Sequence, residues 1–106
     1  MNICDCHAHI GEFFDQINGK HVSYSSAGLA RCMGDASVDV AIVSNISAIG
    51  DPVGANLELA AWAEAYPQLV PLAWVTPGVT DVSEVRRLFG MGFRGMKLHP
   101  TAGGYQ

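Results

Sequence analysis

The chain has 106 residues, 49% of them hydrophobic and 15% charged, and ten acidic against six basic side chains give a formal net charge of -4. This composition is typical of one globular domain and disfavours nucleic-acid binding, because no stripe of Lys and Arg is present to contact phosphates. No apolar run reaches the about 20 residues of a membrane span, and the N-terminus lacks a signal pattern, so we expect a cytoplasmic protein with no membrane partner.

Four short apolar runs are predicted to be strands: residues 2–6, 38–45, 69–75 and 93–99. The second and third runs are nearly continuously apolar and do not alternate with polar residues. That pattern is typical of strands buried on both faces, and such strands usually belong to parallel sheets.

Three segments between these runs are predicted to be helices: residues 25–34, 56–66 and 81–90. In the second segment, apolar residues recur at helical spacing from Leu59 to Tyr66, and Pro67 ends the helix. The third segment begins with Asp81 and Glu84, which have the spacing of a capping box.

The order of elements is therefore β-α-β-α-β-α-β, which predicts an α/β fold of parallel β/α units in a single domain, residues 1–106. Two architectures share this order: an open doubly wound sheet and a (β/α)8 barrel of about 250 residues. Length alone favours the open sheet. The residues at the strand ends favour the N-terminal half of a TIM-type barrel, with about four strands and three helices.

The first strand ends in two histidines, His7 and His9, separated by one residue. Because side chains alternate along a strand, Asp5, His7 and His9 are predicted to share one face. The two imidazoles would then lie about 7 Å apart along the strand, near enough to bind one metal ion together. The alternative interpretation is a pair of ordinary hydrogen-bonded histidines.

The cysteines offer a competing metal site, since Cys4, Cys6 and Cys32 are also ligand types. Alternation places Cys4 and Cys6 on the face opposite the two histidines, and their spacing differs from the knuckle common in structural zinc sites. We therefore disfavour this alternative, and the odd number of cysteines fits a reducing compartment.

The fourth strand carries Lys97 and His99 on one face, with Met96 and Leu98 on the other. If Lys97 faces inward, it joins His7 and His9 at the same edge of the sheet. There it would hold a substrate carboxylate or, after CO2 addition, become a carbamate ligand. The alternatives are a surface lysine and a purely structural His99.

Three motifs carry a family resemblance: Asp-x-His-x-His-Ile-Gly at residues 5–11, Ala-Tyr-Pro at residues 65–67, and Gly-Phe-Arg-Gly-Met-Lys-Leu-His-Pro at residues 92–100. Together they resemble the amidohydrolase superfamily, in particular its amidohydrolase-related branch of metal-dependent hydrolases and decarboxylases. The resemblance covers the whole chain but only the first half of that fold. It implies a distorted barrel with one or two divalent metal ions, Zn2+ being the expected one, held by His7 and His9 with Lys97 as a further candidate ligand.

In that family the remaining ligands come from the fifth and sixth strands and an aspartate from the eighth, so the general base is expected beyond Gln106. We therefore expect an N-terminal fragment that is inactive alone and whose exposed strand edges are covered by the missing half or by self-association. The complete enzyme would hydrolyse an amide, lactone or ester bond, or decarboxylate a carboxylate, of a small-molecule substrate. Lys97, His99 and Phe13 are the candidate substrate-binding residues, Phe13 as an apolar wall in a predicted loop at residues 10–22.

Two other functions are compatible with the residues. One is a small non-enzymatic α/β binding module, which would fold as a stable monomer whether or not chelators are present. The other is a metal-dependent phosphoesterase, because TatD-like nucleases and histidinol-phosphatase-like enzymes also begin with a His-x-His strand.

Overall fold

The computed structural model describes residues 2–106 and contains one sheet of five strands. These strands are β1 (Cys4–Asp15), β2 (Lys20–Tyr24), β3 (Val40–Asn45), β4 (Leu69–Trp74) and β5 (Gly95–Lys97). Their order in the sheet is β2-β1-β3-β4-β5, with β1, β3, β4 and β5 parallel and β2 antiparallel to β1. The predicted α/β class with parallel β/α units is thereby confirmed.

The helices are α1 (Ser26–Asp35), α2 (Pro52–Ala65), α3 (Val82–Gly90) and the short α4 (Pro100–Gly103), and a 3-10 helix spans Ile46–Ile49. The three predicted helices are present, and α2 begins earlier than predicted because Asp51 caps it and a proline occupies its first turn. Asp81 caps α3 as predicted, since its carboxylate accepts from the backbone N–H of Glu84 at 2.8 Å. Within the described residues, no helix combines the length and the apolar character that crossing a bilayer requires.

The hydrophobic core lies between one face of the sheet and the three long helices. It joins alternate strand residues to Met33, Leu59 and Leu88 of the helices. The strand residues of this core are Ala8, Ile10, Ala41, Val43, Leu69 and Ala73. The intervening residues Ile42, Val70 and Leu72 stay half-buried, so the second face of the sheet also carries apolar side chains.

The segment at residues 10–22 forms most of a β-hairpin, so its prediction as a loop is wrong. β1 continues to Asp15, and Phe13 pairs with Val22 across the turn. The turn is stabilised locally, because the Asp15 carboxylate accepts from the backbone N–H of Asn18 at 3.2 Å and Gly19 has a φ of 64°. Asn-Gly between two strands is the sequence signal for such a hairpin.

A bulge interrupts β1 between Asp5 and Ala8 and includes His7. Asp5 pairs with Ala41 and Ala8 with Val43, so three steps along β1 match two steps along β3. The Asp5 carboxylate accepts from the backbone N–H of His7 at 3.0 Å inside the bulge. The predicted strict alternation from residue 4 to residue 9 is therefore wrong, because the extra residue interrupts it between Asp5 and Ala8.

Candidate metal and substrate site

A cavity of about 370 Å³ opens at the carboxyl ends of the parallel strands. It brings together every site residue predicted from the sequence: His7, His9, Phe13, Lys97 and His99. Phe13 reaches it from the hairpin and not from a loop. A larger groove of about 710 Å³ lies at the other end of β4 and β5, but its lining is mostly alanine, leucine and proline and holds no histidine. The candidate metal-binding and substrate-binding side chains therefore lie at the carboxyl ends of the parallel strands.

The two histidines of β1 are in direct contact. Their ring centroids are 4.7 Å apart and the ring planes are inclined by 72°. At this separation one nitrogen of each ring can reach the same ion at the Zn–N distance of about 2.0–2.1 Å. The bulge thus leaves His7 and His9 on one side of the strand end, as the metal-site prediction requires.

His9 is the more buried of the pair and is anchored to the neighbouring strand. Its Nδ1 lies 3.0 Å from Oγ of Ser44, its register partner on β3. Burial lowers the pKa of His9, and the positive charges of His7, Lys97 and His99 lower it further, against a smaller opposing effect from a hydrogen bond with the Ser44 backbone. His9 is therefore biased toward the neutral form that binds metal ions.

We expect His9 to titrate below the ordinary histidine value of 6.5. At a pH between the pKa of His9 in the folded protein and the ordinary value of 6.5, the folded protein binds fewer protons than the unfolded chain. The free energy of unfolding therefore falls as the pH drops from 6.5 toward the pKa of the folded protein. An NMR titration of the His9 Cε1–H resonance measures the midpoint directly, with the exposed His21 followed in the same spectra. A His9 midpoint at or above 6.5 would contradict this assignment.

Lys97 completes the cluster from the opposite edge of the parallel strands. Its Nζ lies 3.4 Å from Nε2 of His7, although the two residues are 90 positions apart in the chain. Lys97 is half-buried on β5, paired with Trp74 of β4. Lys97 therefore faces the histidine pair, the condition under which the sequence brought it to the same edge of the sheet, and its ammonium group lies beside the two imidazoles.

His99 lies at the cavity wall and also makes a structural contact. It lines the cavity, where its ring stacks on Trp74 with centroids 5.7 Å apart and planes inclined by 11°. Its Nδ1 also accepts from the backbone N–H of Ala102 at 3.2 Å and so caps α4. These two contacts hold the imidazole in one orientation at the cavity wall.

Sequence reasoning missed several residues of the site, chiefly Ser44 and Trp74. Trp74 ends β4 two residues after Leu72, and simple alternation could have placed it on the cavity side. Ser44 carried no comparable signal, because its role depends on its register with His9. The remaining missed cavity residues are apolar or aromatic: Val22, Tyr24, Ile46 and Ile49.

The metal-binding side chains in the cavity could supply only part of the ligands of a zinc site. Residues 2–106 contain no group of three or more His, Cys, Asp and Glu side chains arranged around one point. The three cysteines are free and exposed, and none of them lines this cavity. His7 and His9 offer two imidazole nitrogens with Lys97 beside them, whereas a zinc site needs three or four ligands. These residues alone would bind a metal ion weakly, and a complete site needs further ligands.

The fold and the site define an α/β protein with polar side chains converging at the carboxyl ends of parallel strands. No family model matches the chain, and no curated protein is significantly similar to it. Among solved structures, the chain is similar to a probable 2-pyrone-4,6-dicarboxylic acid hydrolase from Acinetobacter baumannii, with citric acid bound, at 19% identity and a TM-score of 0.63. The match covers 92% of this chain and 38% of that protein, and at this identity it shows the fold alone.

Proposed function

We propose that this chain is the amino-terminal part of a metal-dependent, amidohydrolase-like hydrolase. The observation that carries the proposal is the convergence of His7, His9 and Lys97 in one cavity. The same residues carry the motifs that resemble the amidohydrolase superfamily. A divalent metal ion bound there would act as a Lewis acid and lower the pKa of water.

The remaining groups of the cavity suit a small substrate that bears a carboxylate. Lys97 and His99 offer N–H donors, and Phe13 and Trp74 offer apolar walls. The similar solved structure is named as a hydrolase of a pyrone dicarboxylic acid, which is such a molecule. In this chain Lys97 would bind and orient the carboxylate, while His7 and His9 hold the metal ion. Decarboxylation of such a substrate would use the same three residues and is the alternative reaction within this proposal.

The proposal includes the barrel, of which this chain would form about the first half. The chain spans 38% of the similar protein, and the second face of its sheet carries the half-buried Ile42, Val70 and Leu72. The strands β2 and β5 lie at the two edges of the sheet. Further β/α units would cover this face and pair with an edge, and the apolar side chains on this face support that part of the proposal.

Zinc binding tests the site. Titration of the chain with Zn2+ in a calorimeter is expected to show weak binding that the double variant His7→Ala/His9→Ala loses. His21→Ala is the matched control, because His21 is an exposed histidine of the hairpin and should leave the titration unchanged. Undiminished binding in the double variant would contradict the proposal. Absence of binding in the unmodified chain, with folding indifferent to chelators, would favour the non-enzymatic module.

Sequencing the source gene beyond the codon for Gln106 tests the extent of the protein. A reading frame that continues for about 150 residues or more, with later histidines and a late aspartate, would support the barrel enzyme. A stop codon would contradict it. Activity of a complete chain on phosphodiesters, with none on carboxyl-derived bonds, would instead assign it to the phosphoesterases.

A further inference from the structure

Ser44 is a buried polar residue that faces a candidate metal ligand. Its exposed fraction is 2%, and its Oγ lies 3.0 Å from Nδ1 of His9. The two residues are register partners on the parallel strands β3 and β1, beyond the bulge. The backbone of both strands therefore fixes this contact, although the residues are 35 positions apart in the chain.

The direction of this hydrogen bond determines which nitrogen of His9 can bind a cation. A neutral imidazole carries a proton on one nitrogen and a lone pair on the other. When Nδ1–H donates to Oγ of Ser44, the lone pair remains on Nε2, on the far side of the ring from Ser44. His9 lines the cavity shared with His7 and Lys97, so Nε2 is the nitrogen available to an ion there.

We propose that Ser44 is a positioning residue, which holds the tautomer and the ring orientation of His9 for binding a divalent cation. This inference rests on the proposed function, because it takes His9 as a metal ligand. Ser44 itself does not contact the ion. Its hydroxyl has the role that a carboxylate or carbonyl acceptor has behind many metal-bound histidines.

The size of the expected effect follows from other metal-bound histidines. Removing the group that accepts a hydrogen bond from such a histidine typically lowers metal affinity about 10-fold to 100-fold. A serine hydroxyl is an uncharged acceptor, and hydrogen bonds to uncharged groups are the weaker ones, so the lower end applies. We expect Ser44→Ala to weaken Zn2+ binding about 10-fold, whereas Ser44→Thr, which keeps the hydroxyl, should retain most of the affinity.

The experiment combines Zn2+ titration with NMR of the histidine ring nitrogens in the metal-free chain. The unmodified chain should show His9 as the Nδ1–H tautomer, and Ser44→Ala should shift the ring toward Nε2–H while weakening Zn2+ binding. Ser26→Ala is the control, because it removes the hydroxyl of another buried serine, on α1. That variant should match the unmodified chain in both measurements.

Two results would overturn the inference: His9 as the Nε2–H tautomer in the unmodified chain, or a Ser44→Ala variant with unchanged tautomer and affinity. If Ser44→Ala fails to fold, the tautomer of the unmodified chain and the affinity of Ser44→Thr decide. Loss of binding in Ser44→Thr, with its fold intact, would then overturn it. A chain that binds no Zn2+ would refute the proposed function, and the inference with it, whichever tautomer the spectra show.

Discussion

Replacement of Gly11 by alanine is expected to destabilise the protein by about 3 kcal/mol or more, because backbone strain and overpacking add at this position. Gly11 is buried and has a φ of 106°, a conformation that residues with a Cβ rarely adopt. A Cβ there would overlap Oδ1 of Asn45 and lie 2.7 Å from Oγ of Ser47. Neither neighbour can move freely. The Asn45 amide donates to the carbonyl of Ala55 at 3.0 Å, and Ser47 accepts from the backbone N–H of Glu12 at 2.9 Å.

Chemical denaturation of the variant measures the loss, and Gly19→Ala provides the control. Gly19 also has a positive φ, 64°, but a Cβ there meets nothing within 4 Å. Its substitution should therefore cost only the backbone strain, about 1–2 kcal/mol. Equal losses in the two variants would show that the close approach of β1 to Asn45 has no energetic effect.

This close approach gives the glycine of the His-x-His-Ile-Gly motif a structural explanation. Gly11 lets β1 pass directly over the Asn45 side chain, immediately after His9 and Ile10 pair with Ser44 and Asn45 of β3. The strand end that carries the two histidines is thereby held against β3. The glycine thus serves the geometry of the site without any contact to a ligand.

Replacement of Asn56 by leucine is expected to cost about 3 kcal/mol, because it leaves two buried backbone groups without partners at about 1–3 kcal/mol each. The Asn56 amide donates to the carbonyl of Trp74 at 3.0 Å and accepts from the N–H of Trp74 at 2.8 Å. The pairing of β3 with β4 ends at Pro71, so this side chain of α2 takes the place of a neighbouring strand. Leucine branches at Cγ as asparagine does, but it removes both hydrogen bonds and is larger, so some overpacking adds to the loss.

Denaturation of Asn56→Leu is best compared with Asn18→Leu, the same substitution at an exposed position of the hairpin turn. Water can replace the lost hydrogen bond at Asn18, so that variant should lose far less stability. The ring resonances of His99 offer a second measurement. They should shift in Asn56→Leu, because Trp74 is the platform on which His99 stacks. Similar stabilities for the two variants would contradict the bridging role of Asn56.

The elements that the sequence predicted correctly are those with local signals. The nearly continuous apolar runs of β3 and β4 are recognisable without knowledge of their neighbours, and Asp81 marks the start of α3 by itself. The β1 histidines, Lys97 and His99 could be placed together because the carboxyl ends of parallel strands meet at one edge of a sheet. The metal ligation and substrate contacts assigned to these residues stay predictions.

Other features of the fold have weaker signals or none in the sequence. The hairpin has one, the Asn18-Gly19 pair between Phe13 and Val22. The bulge in β1 had none, because an extra residue arises only from the pairing of β1 with β3. A strand read by itself is expected to alternate regularly, so the prediction for residues 4–9 had to fail where the partner strand imposes a shift.

The parallel β/α order and the four polar side chains at the strand ends could be predicted from the sequence, because periodicity, helix caps and strand polarity are properties of short segments. The side chains that support these four residues depend on tertiary contacts. Ser44 lies behind His9 because of strand register, and Trp74 lies under His99 because Asn56 holds its backbone. These contacts join residues far apart in the chain, and their geometry depends on the packing of all the strands together.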